Sequence, residues 1–545
     1  MSATKKRGAD ALIQSLQQAG VKRIFTLSGN HIMSVFDAAF DAGIELIHTR
    51  HEAATVHMAD AYARITGEPG IALVTGGPGH ANAVSALYTA KMAVSPVVLL
   101  SGHAPNNQLG MGAFQEMRQA EMAAPVSKLS STSASADALA SDIANAIRVA
   151  QSGRPGPVHL SLPTDALEAE TSSANAALDS TALQPVATPL SNADAVSFLA
   201  RLSRAKRPLI LTGPASMMRF RRAQLAALEI ATGIPVIGME SPRGIADPSL
   251  GAFAQMLGQS DCVLLLGKRL DFTLKFGAVP AFAADCEFLQ IDAEKHEIER
   301  SQRAVASRLI ATADAATPSA IQALIAASIS AVKPDSAWRN DVRAAIEYRP
   351  ATWREATSTI ADRLHPVQAL RPLQALLDSH TDSVFISDGG EIGQWAQACL
   401  NAPHRVINGV AGAIGAALPF ALGARVAVPN APIIAVMGDG TFGFHTAEMD
   451  TAVRYGLPFV AVVGNDARWN AEYQIQLRDY GRERLIGCEL LPTRYDQVTS
   501  AFGGHGEYVT SAAAMPAAAQ RAIASGKPSC INVMIDGLPA PNVRR

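Results

Sequence analysis

Short apolar runs alternate with amphipathic segments along most of the chain, and this alternation is the strongest constraint on its fold. The runs that predict strands are 23–27, 45–49, 71–75, 97–101, 208–212, 262–266, 288–291, 383–387, 433–437 and 459–463. Between them lie helical patterns such as residues 53–65, which Gly67 closes. Strands that alternate with helices form parallel βαβ units with helices on both faces of the sheet. The sequence therefore predicts an α/β protein built from doubly wound parallel sheets.

Two stretches without apolar periodicity divide the chain. Residues 171–193 are rich in Ser, Thr and Ala, and residues 328–353 carry prolines and a run of charges. Such compositions are typical of linkers or poorly packed connections. At about 150 residues per domain, a chain of 545 residues has room for three or four domains. We predict three, over residues 1–180, 190–335 and 360–545.

Charge and cysteine usage exclude several classes of protein. Lys plus Arg number 46 and Asp plus Glu 48, so the net charge is -2 and no general basic field attracts nucleic acid or a membrane surface. The five cysteines are widely spaced and form no Cys-x-x-Cys pair, which argues against a disulfide framework or a zinc site. The basic N-terminal segment has no apolar core behind it, so we expect no secretory signal and a cytoplasmic location.

Acidic residues follow two neighbouring predicted strands in the last third of the chain. Gly438-Asp439-Gly440-Thr441 follows the strand 433–437, and Asn465-Asp466 follows the strand 459–463. Taken singly, each segment is more simply a tight turn or a helix cap. Because adjacent parallel strands bring their carboxyl ends together, we expect the two carboxylates to converge beside a helix N-terminus. Oxygen ligands suit Mg²⁺ and a helix N-terminus suits phosphate, so the joint spacing predicts a magnesium and phosphate site.

This pair of segments resembles the diphosphate-binding motif of thiamine diphosphate-dependent enzymes. The resemblance implies that Asp439, Asp466 and the backbone carbonyl of Arg468 bind Mg²⁺, with Gly440 and Thr441 at the diphosphate. Asp466 departs from the motif, because most members have Asn there. An Asn-Asp pair also occurs in animal 2-hydroxyacyl-CoA lyases that resemble acetolactate synthase. The resemblance also implies a role for each predicted domain. The first would bind the pyrimidine of the cofactor, the second would be the family's central domain, and the third would bind the diphosphate with Mg²⁺.

Glu52, in the first third of the chain, provides independent support for this resemblance. It follows the strand 45–49 and opens a helix, as does the family's glutamate that bonds the pyrimidine nitrogen of the cofactor. An acid there shares a proton with that nitrogen and so activates the cofactor. Taken alone, Glu52 is more simply a first-turn glutamate that the helix dipole favours. Together with the Asp439 motif, it is predicted to be catalytic.

The remaining family-like segments cover both ends of the cofactor. Each has a turn or core explanation by itself, and together they predict cofactor contacts. The resemblance implies cofactor binding by Gly77, Asn82, Gly390, Glu391, Gly412 and Ile414, the last as the apolar wedge that bends thiamine. It also implies that Gln115, within Phe114-Gln115-Glu116, points at the reacting carbon.

His31 narrows the reaction class. It follows the first strand, where benzaldehyde lyase and the animal acyl-CoA lyases have a histidine. A lone histidine is usually solvated or satisfied, but its intrinsic pKa near 6.5 suits moving a proton at a substrate hydroxyl. The combination of His31, the Phe114-Gln115-Glu116 segment and Asp466 favours a 2-hydroxyacyl-CoA lyase that releases formyl-CoA and an aldehyde or ketone.

Two alternatives stay open. One is an acetolactate synthase-like carboligase or a 2-oxo acid decarboxylase, and the other is an inactive subunit that binds thiamine diphosphate. The family's central domain holds a nucleotide in some members, so coenzyme A, ADP or FAD is a candidate occupant. Cations that could serve it are Arg219, Arg221 and Arg222, for which solvated helix charges are the simpler explanation. Lys268 and Arg269 are further candidates, and none of the five is specific. The resemblance also implies a small-molecule substrate and a homodimer or homotetramer, since the pyrimidine-binding and Mg²⁺-binding domains come from different subunits.

Overall fold

A computed structural model describes residues 6–171, 180–330 and 336–545. It contains three sheets, and every strand pair in them is parallel. The described residues form two compact units. The first holds those within Met1–Val186, Leu418–Pro429 and His445–Leu457, and the second holds those within Ala187–Ala417, Asn430–Phe444 and Pro458–Arg545. The three-sheet, doubly wound α/β architecture predicted from the sequence is confirmed.

The N-terminal sheet lies in the first unit. Its strands are β1 (Arg23–Thr26), β2 (Glu45–His48), β3 (Gly70–Val74), β4 (Val97–His103), β5 (Leu129–Thr132) and β6 (Val158–Pro163), in the order β2-β1-β3-β4-β6-β5. The helices are α1 (Gly8–Gln18), α2 (Met33–Ala42), α3 (Glu52–Thr66), α4 (Pro78–Met92), α5 (Gln119–Ala123), α6 (Leu139–Gln151) and α7 (Thr164–Glu168). Helix α3 begins where His51 Nδ1 accepts a hydrogen bond from the Ala53 N–H, and it ends at Gly67, whose φ of +80° favours glycine.

The central sheet lies in the second unit. Its strands are β7 (Pro208–Thr212), β8 (Val236–Gly238), β9 (Cys262–Leu266), β10 (Glu287–Asp292) and β11 (Leu309–Asp314), in the order β11-β10-β9-β7-β8. The helices are α8 (Asn192–Leu202), α9 (Arg219–Thr232), α10 (Phe253–Leu257), α11 (Lys295–Val305), α12 (Thr317–Ala327) and α13 (Ser336–Glu347). Strand β9 sends Val263 and Leu265 into one apolar cluster and Leu264 and Leu266 into another. Both faces of the sheet are therefore covered, which explains the unbroken apolar runs.

The C-terminal sheet, also in the second unit, repeats the topology of the first. Its strands are β12 (Val384–Ser387), β13 (His404–Ile407), β14 (Ile433–Gly438), β15 (Val460–Asn465), β16 (His505–Val509) and β17 (Ser529–Met534), in the order β13-β12-β14-β15-β17-β16. The helices of this part of the chain are α14 (Pro366–Leu370), α15 (Gln374–Leu377), α16 (Gly390–Cys399), α17 (Ala417–Ala427), α18 (Asp439–Phe442), α19 (Glu448–Arg454), α20 (Asn470–Asp479), α21 (Tyr495–Ala501) and α22 (Met515–Ala524). Apart from Ala417, helices α17 and α19 belong to the first unit.

The linker predicted over residues 328–353 is wrong for much of its length. Residues 336–347 form α13, which places Trp338, Val342 and Ala345 in the core of the central sheet. The Trp338 indole N–H donates to the Pro208 carbonyl at 2.9 Å. The other predicted linker, 171–193, includes residues 172–179, which lie outside the described residues, as do 331–335. Across the described ranges, no helix is long and apolar enough to cross a bilayer.

Candidate active site

Glu52 and Asn82 meet at the carboxyl end of the N-terminal sheet. Glu52 is the first residue of α3, and Asn82 lies in the second turn of α4. The Asn82 Nδ2 donates to Glu52 Oε2 at 3.0 Å. The other carboxylate oxygen lies beside Gly79, where an added Cβ would approach Oε1 to 3.3 Å. The carboxylate is half-buried in the single chain and is held in one orientation by the amide.

The loop before α4 brings Gly77 against Gln115. Gly77 has a φ of +57°, and a Cβ there would lie 2.8 Å from the Cβ of Gln115, so only glycine fits this approach. The Gly77 N–H donates to the Oε1 of the buried Gln119 at 2.8 Å. Gln115 itself has a left-handed backbone, with φ of +56°. Its Oε1 is buried and has no hydrogen-bond partner among the described residues, which leaves it available to a bound group.

His31 lies where the strand order of the N-terminal sheet reverses, between β1 and β3. Ligands collect at such a reversal because the chain leaves the two strands in opposite directions. The ring is 4% exposed, its Nδ1 lies 3.2 Å from the Thr75 hydroxyl, and it stacks on Phe114 with centroids 5.8 Å apart. Burial lowers the pKa of His31, against a hydrogen bond to the Phe114 backbone that raises it. The imidazole is therefore neutral near pH 7 and can accept a proton.

Asp439 and Asp466 line one cavity at the carboxyl ends of β14 and β15. The register of these strands pairs Gly438 with Gly464, so the residues that follow lie side by side. The two residues are 2% and 5% exposed. Burial raises the pKa of Asp439 to about 6, and burial together with the charge of Asp439 raises the pKa of Asp466 to about 8. A bound cation would stabilise the ionised form of both carboxylates, because it would offset the repulsion between their buried charges.

The donor set of this Asp439 cavity fits Mg²⁺ with a diphosphate. Asp439 Oδ2 is buried and has no hydrogen-bond partner among the described residues. Over the described ranges, no group of three or more His, Cys, Asp and Glu side chains could hold a metal alone, so a metal here needs other ligands as well. Phosphate and backbone carbonyl oxygens would complete its shell. Arg468, whose carbonyl is the predicted third ligand, also lines the cavity, and its guanidinium stacks on Tyr473 at 4.2 Å.

Gly390 and Glu391 border the same cavity from β12. Strand β12 precedes the reversal of strand order beside β14, and Gly390 opens the ten-residue helix α16 with a φ of +82°. The N-terminus of this helix suits a phosphate. Glu391 accepts a hydrogen bond from Arg243 Nη2 at 3.0 Å, and burial raises the pKa of its carboxyl against that ion pair. Glu391 thus links the cavity to a side chain of the central part of the chain.

Of the four other predicted cofactor contacts in this part of the chain, three line the Asp439 cavity and one does not. Ile414 lines the Asp439 cavity, and it presses on Gly389, where a Cβ would lie 2.5 Å from its Cγ2. Gly412 is not among the residues that line the cavity. Gly440 and Thr441 both line it, and the Thr441 hydroxyl donates to the Gly438 carbonyl at 3.0 Å. The assignment of Gly412 as a cofactor contact therefore has no support from the cavity, and the roles of the others stay predictions.

Asp388 lies in the segment Asp388-Gly389-Gly390-Glu391, which resembles the family's diphosphate loop, but no role was predicted for its side chain, and none was predicted for Trp469. The buried Asp388 carboxylate accepts hydrogen bonds from the N–H groups of Gly389, Gly415 and Ala417 at 2.7 to 3.1 Å, and it thereby fixes the loop that carries Ile414. Its position directly after β12, at the strand-order reversal, is the signal that could have identified it. Trp469 covers Gly440, where a Cβ would lie 2.6 Å from the indole. No local sequence signal marks that contact.

The cations proposed for a nucleotide in the central part of the chain are mostly engaged within the protein. Lys268 donates to Thr273 at 2.7 Å, and Arg269 pairs with Glu297 at 2.8 Å. Arg219 forms an ion pair with Asp382, and Arg222 donates to the carbonyls of Met217 and Ala402. The guanidinium of Arg221 lies over the Phe220 ring at 5.6 Å, and burial lowers its pKa. These side chains serve packing and internal ion pairs.

Comparison with known proteins covers nearly the whole chain. Family models described as the N-terminal TPP binding domain, the central domain and the C-terminal TPP binding domain of thiamine pyrophosphate enzymes match residues 6–122, 197–321 and 388–533. A probable acetolactate synthase of Mycobacterium bovis is 33% identical over 537 residues, which is 96% of this chain and 95% of that protein. A 2-hydroxyacyl-CoA lyase 2 of Danio rerio is 29% identical, over 97% of this chain and 92% of that protein. A human 2-hydroxyacyl-CoA lyase 1 is 28% identical, over 97% and 94%.

Thiamine pyrophosphate and thiamine diphosphate are two names for one cofactor. The three family models match in the same order as the three parallel sheets. The predicted resemblance is thus confirmed over all three parts of the chain, and the protein belongs to the thiamine pyrophosphate enzyme family.

Proposed function

We propose that this protein is a thiamine diphosphate- and Mg²⁺-dependent enzyme that breaks or forms a carbon-carbon bond next to a hydroxyl group. The observation that carries the proposal is the surroundings of His31, a buried, neutral imidazole that contacts Thr75 and stacks on Phe114. Gln115 follows Phe114 in the chain, and its buried Oε1, which has no partner among the described residues, is a second hydrogen-bond acceptor for a substrate. When bound, thiamine diphosphate supplies the electron sink that such bond cleavage needs.

Each proposed residue has a role that its contacts support. Glu52, oriented by Asn82, would hold a proton for the pyrimidine nitrogen of the cofactor. His31 takes the proton of the substrate hydroxyl, since its lowered pKa keeps it neutral and able to accept. Asp439 and Asp466, with the Arg468 carbonyl, would hold Mg²⁺, which would offset the repulsion between the two carboxylates.

The substrate we propose is a 2-hydroxyacyl-CoA. The bond between its thioester carbonyl carbon and its hydroxyl-bearing carbon breaks, the hydroxyl loses its proton to become a ketone or aldehyde carbonyl, and the thioester carbon gains a proton to leave as formyl-CoA. Support comes from the combination of His31, Gln115 and Asp466 and from the relatives named 2-hydroxyacyl-CoA lyases. A nucleotide in the central part of the chain, whether coenzyme A, ADP or FAD, would need groups other than Lys268 and Arg269, which are paired internally.

A second candidate is acetolactate synthase-like carboligation, or decarboxylation, of a 2-oxo acid. The observation that favours it is the 33% identity with the Mycobacterium bovis protein, which exceeds that with the two lyases named above. Both candidates use the same cofactor, so their separation depends on the substrate. An inactive thiamine diphosphate-binding subunit is disfavoured, because Glu52, His31 and Asp439 are all present.

The experiment that separates these candidates starts from protein reconstituted with thiamine diphosphate and Mg²⁺. One reaction contains formyl-CoA and an aldehyde, the other contains pyruvate alone, and products are identified by mass spectrometry. We expect a 2-hydroxyacyl-CoA from the first reaction, and its loss when His31 is replaced by Ala. Product from pyruvate only would contradict the proposed substrate. No product and no cofactor binding would contradict the proposed enzyme class.

We also propose a cytoplasmic homodimer or homotetramer. The support is the family arrangement, in which pyrimidine-binding and Mg²⁺-binding domains come from different subunits. Light scattering after size exclusion measures the mass directly, and a chain mass of 57.1 kDa gives the unit to compare. An active monomer at working concentration would contradict the assembly.

A further inference from the structure

The free edge of β2 is covered by side chains from α19 and the residue after it. Strand β2 is the last strand of its sheet and pairs with β1 on one side only. On the other side, the Tyr455 hydroxyl accepts from the His48 N–H at 2.9 Å and donates to the Leu46 carbonyl at 3.1 Å. Arg454 donates to the His48 carbonyl at 2.8 Å. Side chains thus replace the missing neighbouring strand, which satisfies backbone groups that an edge strand otherwise exposes.

Glu448 continues this cover onto the turn that follows β2. It is the first residue of α19 and is 1% exposed. Its Oε1 accepts from the Arg50 N–H at 3.0 Å, and its Oε2 accepts from the Thr451 hydroxyl at 2.7 Å. Burial raises the pKa of Glu448, whereas the hydrogen bonds from Thr451, from Arg50 and from the His51 N–H lower it. Each oxygen of the carboxylate therefore accepts a hydrogen bond, Oε2 from a residue of its own helix and Oε1 from the turn that follows β2.

The turn that Glu448 contacts leads directly into the predicted catalytic residue. Arg50 precedes Glu52 by two positions, and His51 is the cap of α3. The Arg50 side chain pairs with Asp450, whereas the other bonds described for the turn stay within the N-terminal sheet and the start of α3. The Thr49 hydroxyl donates to the Thr26 and His51 carbonyls, and His51 Nδ1 accepts from the Ala53 N–H. Glu448 supplies a bond from a distant part of the chain. A shift of this backbone would redirect Glu52, because a first-turn side chain follows the direction of its helix start.

We propose that Glu448 is a positioning residue that holds the Arg50–His51 backbone and so aims Glu52 at the pyrimidine ring of the cofactor. The inference rests on the proposed function, in which Glu52 shares a proton with that ring. Glu448 itself touches neither the reacting atoms nor the Glu52 side chain in the contacts described above. Its effect passes through the hydrogen bond from the Arg50 backbone N–H. Loss of this bond would leave a buried donor unsatisfied, which costs free energy.

Three substitutions separate this role from simple stabilisation. Glu448→Gln keeps an oxygen that accepts from the Arg50 N–H, whereas Glu448→Met keeps the size and removes the acceptor. Thr451→Val removes only the hydroxyl that holds the other oxygen, and it serves if the Met variant fails to fold. Asp450→Asn is the matched control, because Asp450 lies on the same helix and pairs with the exposed Arg50 side chain at 3.1 Å, not with its backbone.

Two readouts are measured. The first is amide hydrogen exchange of the peptide that contains Arg50, His51 and Glu52 in the cofactor-free protein. The second is the rate of hydrogen-deuterium exchange at the thiazolium carbon of bound thiamine diphosphate, at saturating cofactor and Mg²⁺. We expect the Met variant to change both by about tenfold or more, in opposite directions, since it leaves a buried donor without a partner. The Gln and Asp450→Asn variants should stay within roughly twofold of wild type, and the Val variant should move as the Met variant does, but less.

The outcomes distinguish the inference from the proposed function. Faster amide exchange with an unchanged thiazolium rate in the Met or Val variant would make Glu448 merely structural and overturn the inference. Unchanged amide exchange would overturn it as well, because the backbone would not depend on the carboxylate. If the wild-type protein does not accelerate thiazolium exchange and Glu52→Gln makes no difference, the proposed function fails instead, and the inference falls with it.

Discussion

The two buried carboxylates of the Asp439 cavity lead to a prediction about the protein without its metal. Burial and the charge of Asp439 raise the pKa of Asp466 from 3.8 to about 8. The folded chain therefore keeps this proton over a pH range in which the unfolded chain has released it. The contribution of this proton to the free energy of unfolding is fully present below pH 3.8 and is lost as the pH rises to about 8. At about 1.4 kcal/mol per pKa unit, the loss approaches 6 kcal/mol as an upper limit, because Asp439 titrates with it.

Asp466→Asn removes the titrating group and keeps an oxygen of similar size in place. In EDTA at pH 8 we expect the variant to unfold roughly 5–10 °C above the wild type, and at pH 5 roughly a third of that difference should remain. Saturating Mg²⁺ and thiamine diphosphate should narrow the gap at pH 8, because a bound cation offsets the repulsion between the two wild-type carboxylates, which the variant does not have. Differential scanning calorimetry at the two pH values measures both effects.

The matched control is Asp479→Asn, the same chemical change at an exposed carboxylate beside Arg478. It should leave the Tm unchanged at both pH values, since exposed pairs contribute little. Unfolding of Asp466→Asn at or below the wild-type temperature in EDTA at pH 8 would contradict a destabilising charge at Asp466. An equal difference at pH 5 and pH 8 would contradict it as well, because the stabilisation would then not come from titration.

Four further substitutions test the site and the fold. Glu52→Gln should retain cofactor binding but slow thiazolium hydrogen-deuterium exchange, and an unchanged rate would remove its catalytic role. His31→Ala should lower kcat far more than cofactor affinity, and equal turnover would leave the histidine structural. Asp466→Ala should raise the Mg²⁺ concentration needed for half-maximal cofactor binding, and a wild-type titration would count against the ligand assignment. Trp338→Ala should cost about 3–5 kcal/mol in urea unfolding, since it empties a core position and leaves the Pro208 carbonyl without its donor; wild-type stability would contradict the place of α13 in the core.

Most of the fold follows from local patterns. Strand β9 reads Cys-Val-Leu-Leu-Leu because helices cover both of its faces, and a continuous apolar run is what such a strand requires. The helix over 336–347 escaped prediction because only three of its positions are buried. Trp338, Val342 and Ala345 do have helical spacing, but the prolines and charges around them dominate the composition. A narrow apolar stripe becomes informative only when the surface it packs against is known.

The candidate site, like the fold, could be predicted only in part from local sequence patterns. The amino-acid sequence indicates which side chains follow the strand ends, and in parallel sheets that is enough to gather Asp439 with Asp466. The contact of His31 with Thr75 came from the structure. The sequence could not determine that Lys268 and Arg269 are paired internally, or that Ile414 lines the cavity whereas Gly412 is not among its lining residues. These points required the three-dimensional structure, as did the hydrogen bond from the Arg50 N–H to Glu448. The physical reason is that pairing and orientation depend on contacts between residues far apart in the chain, whereas the strand-end positions depend on local apolar runs and on the single rule that parallel strands end at one edge.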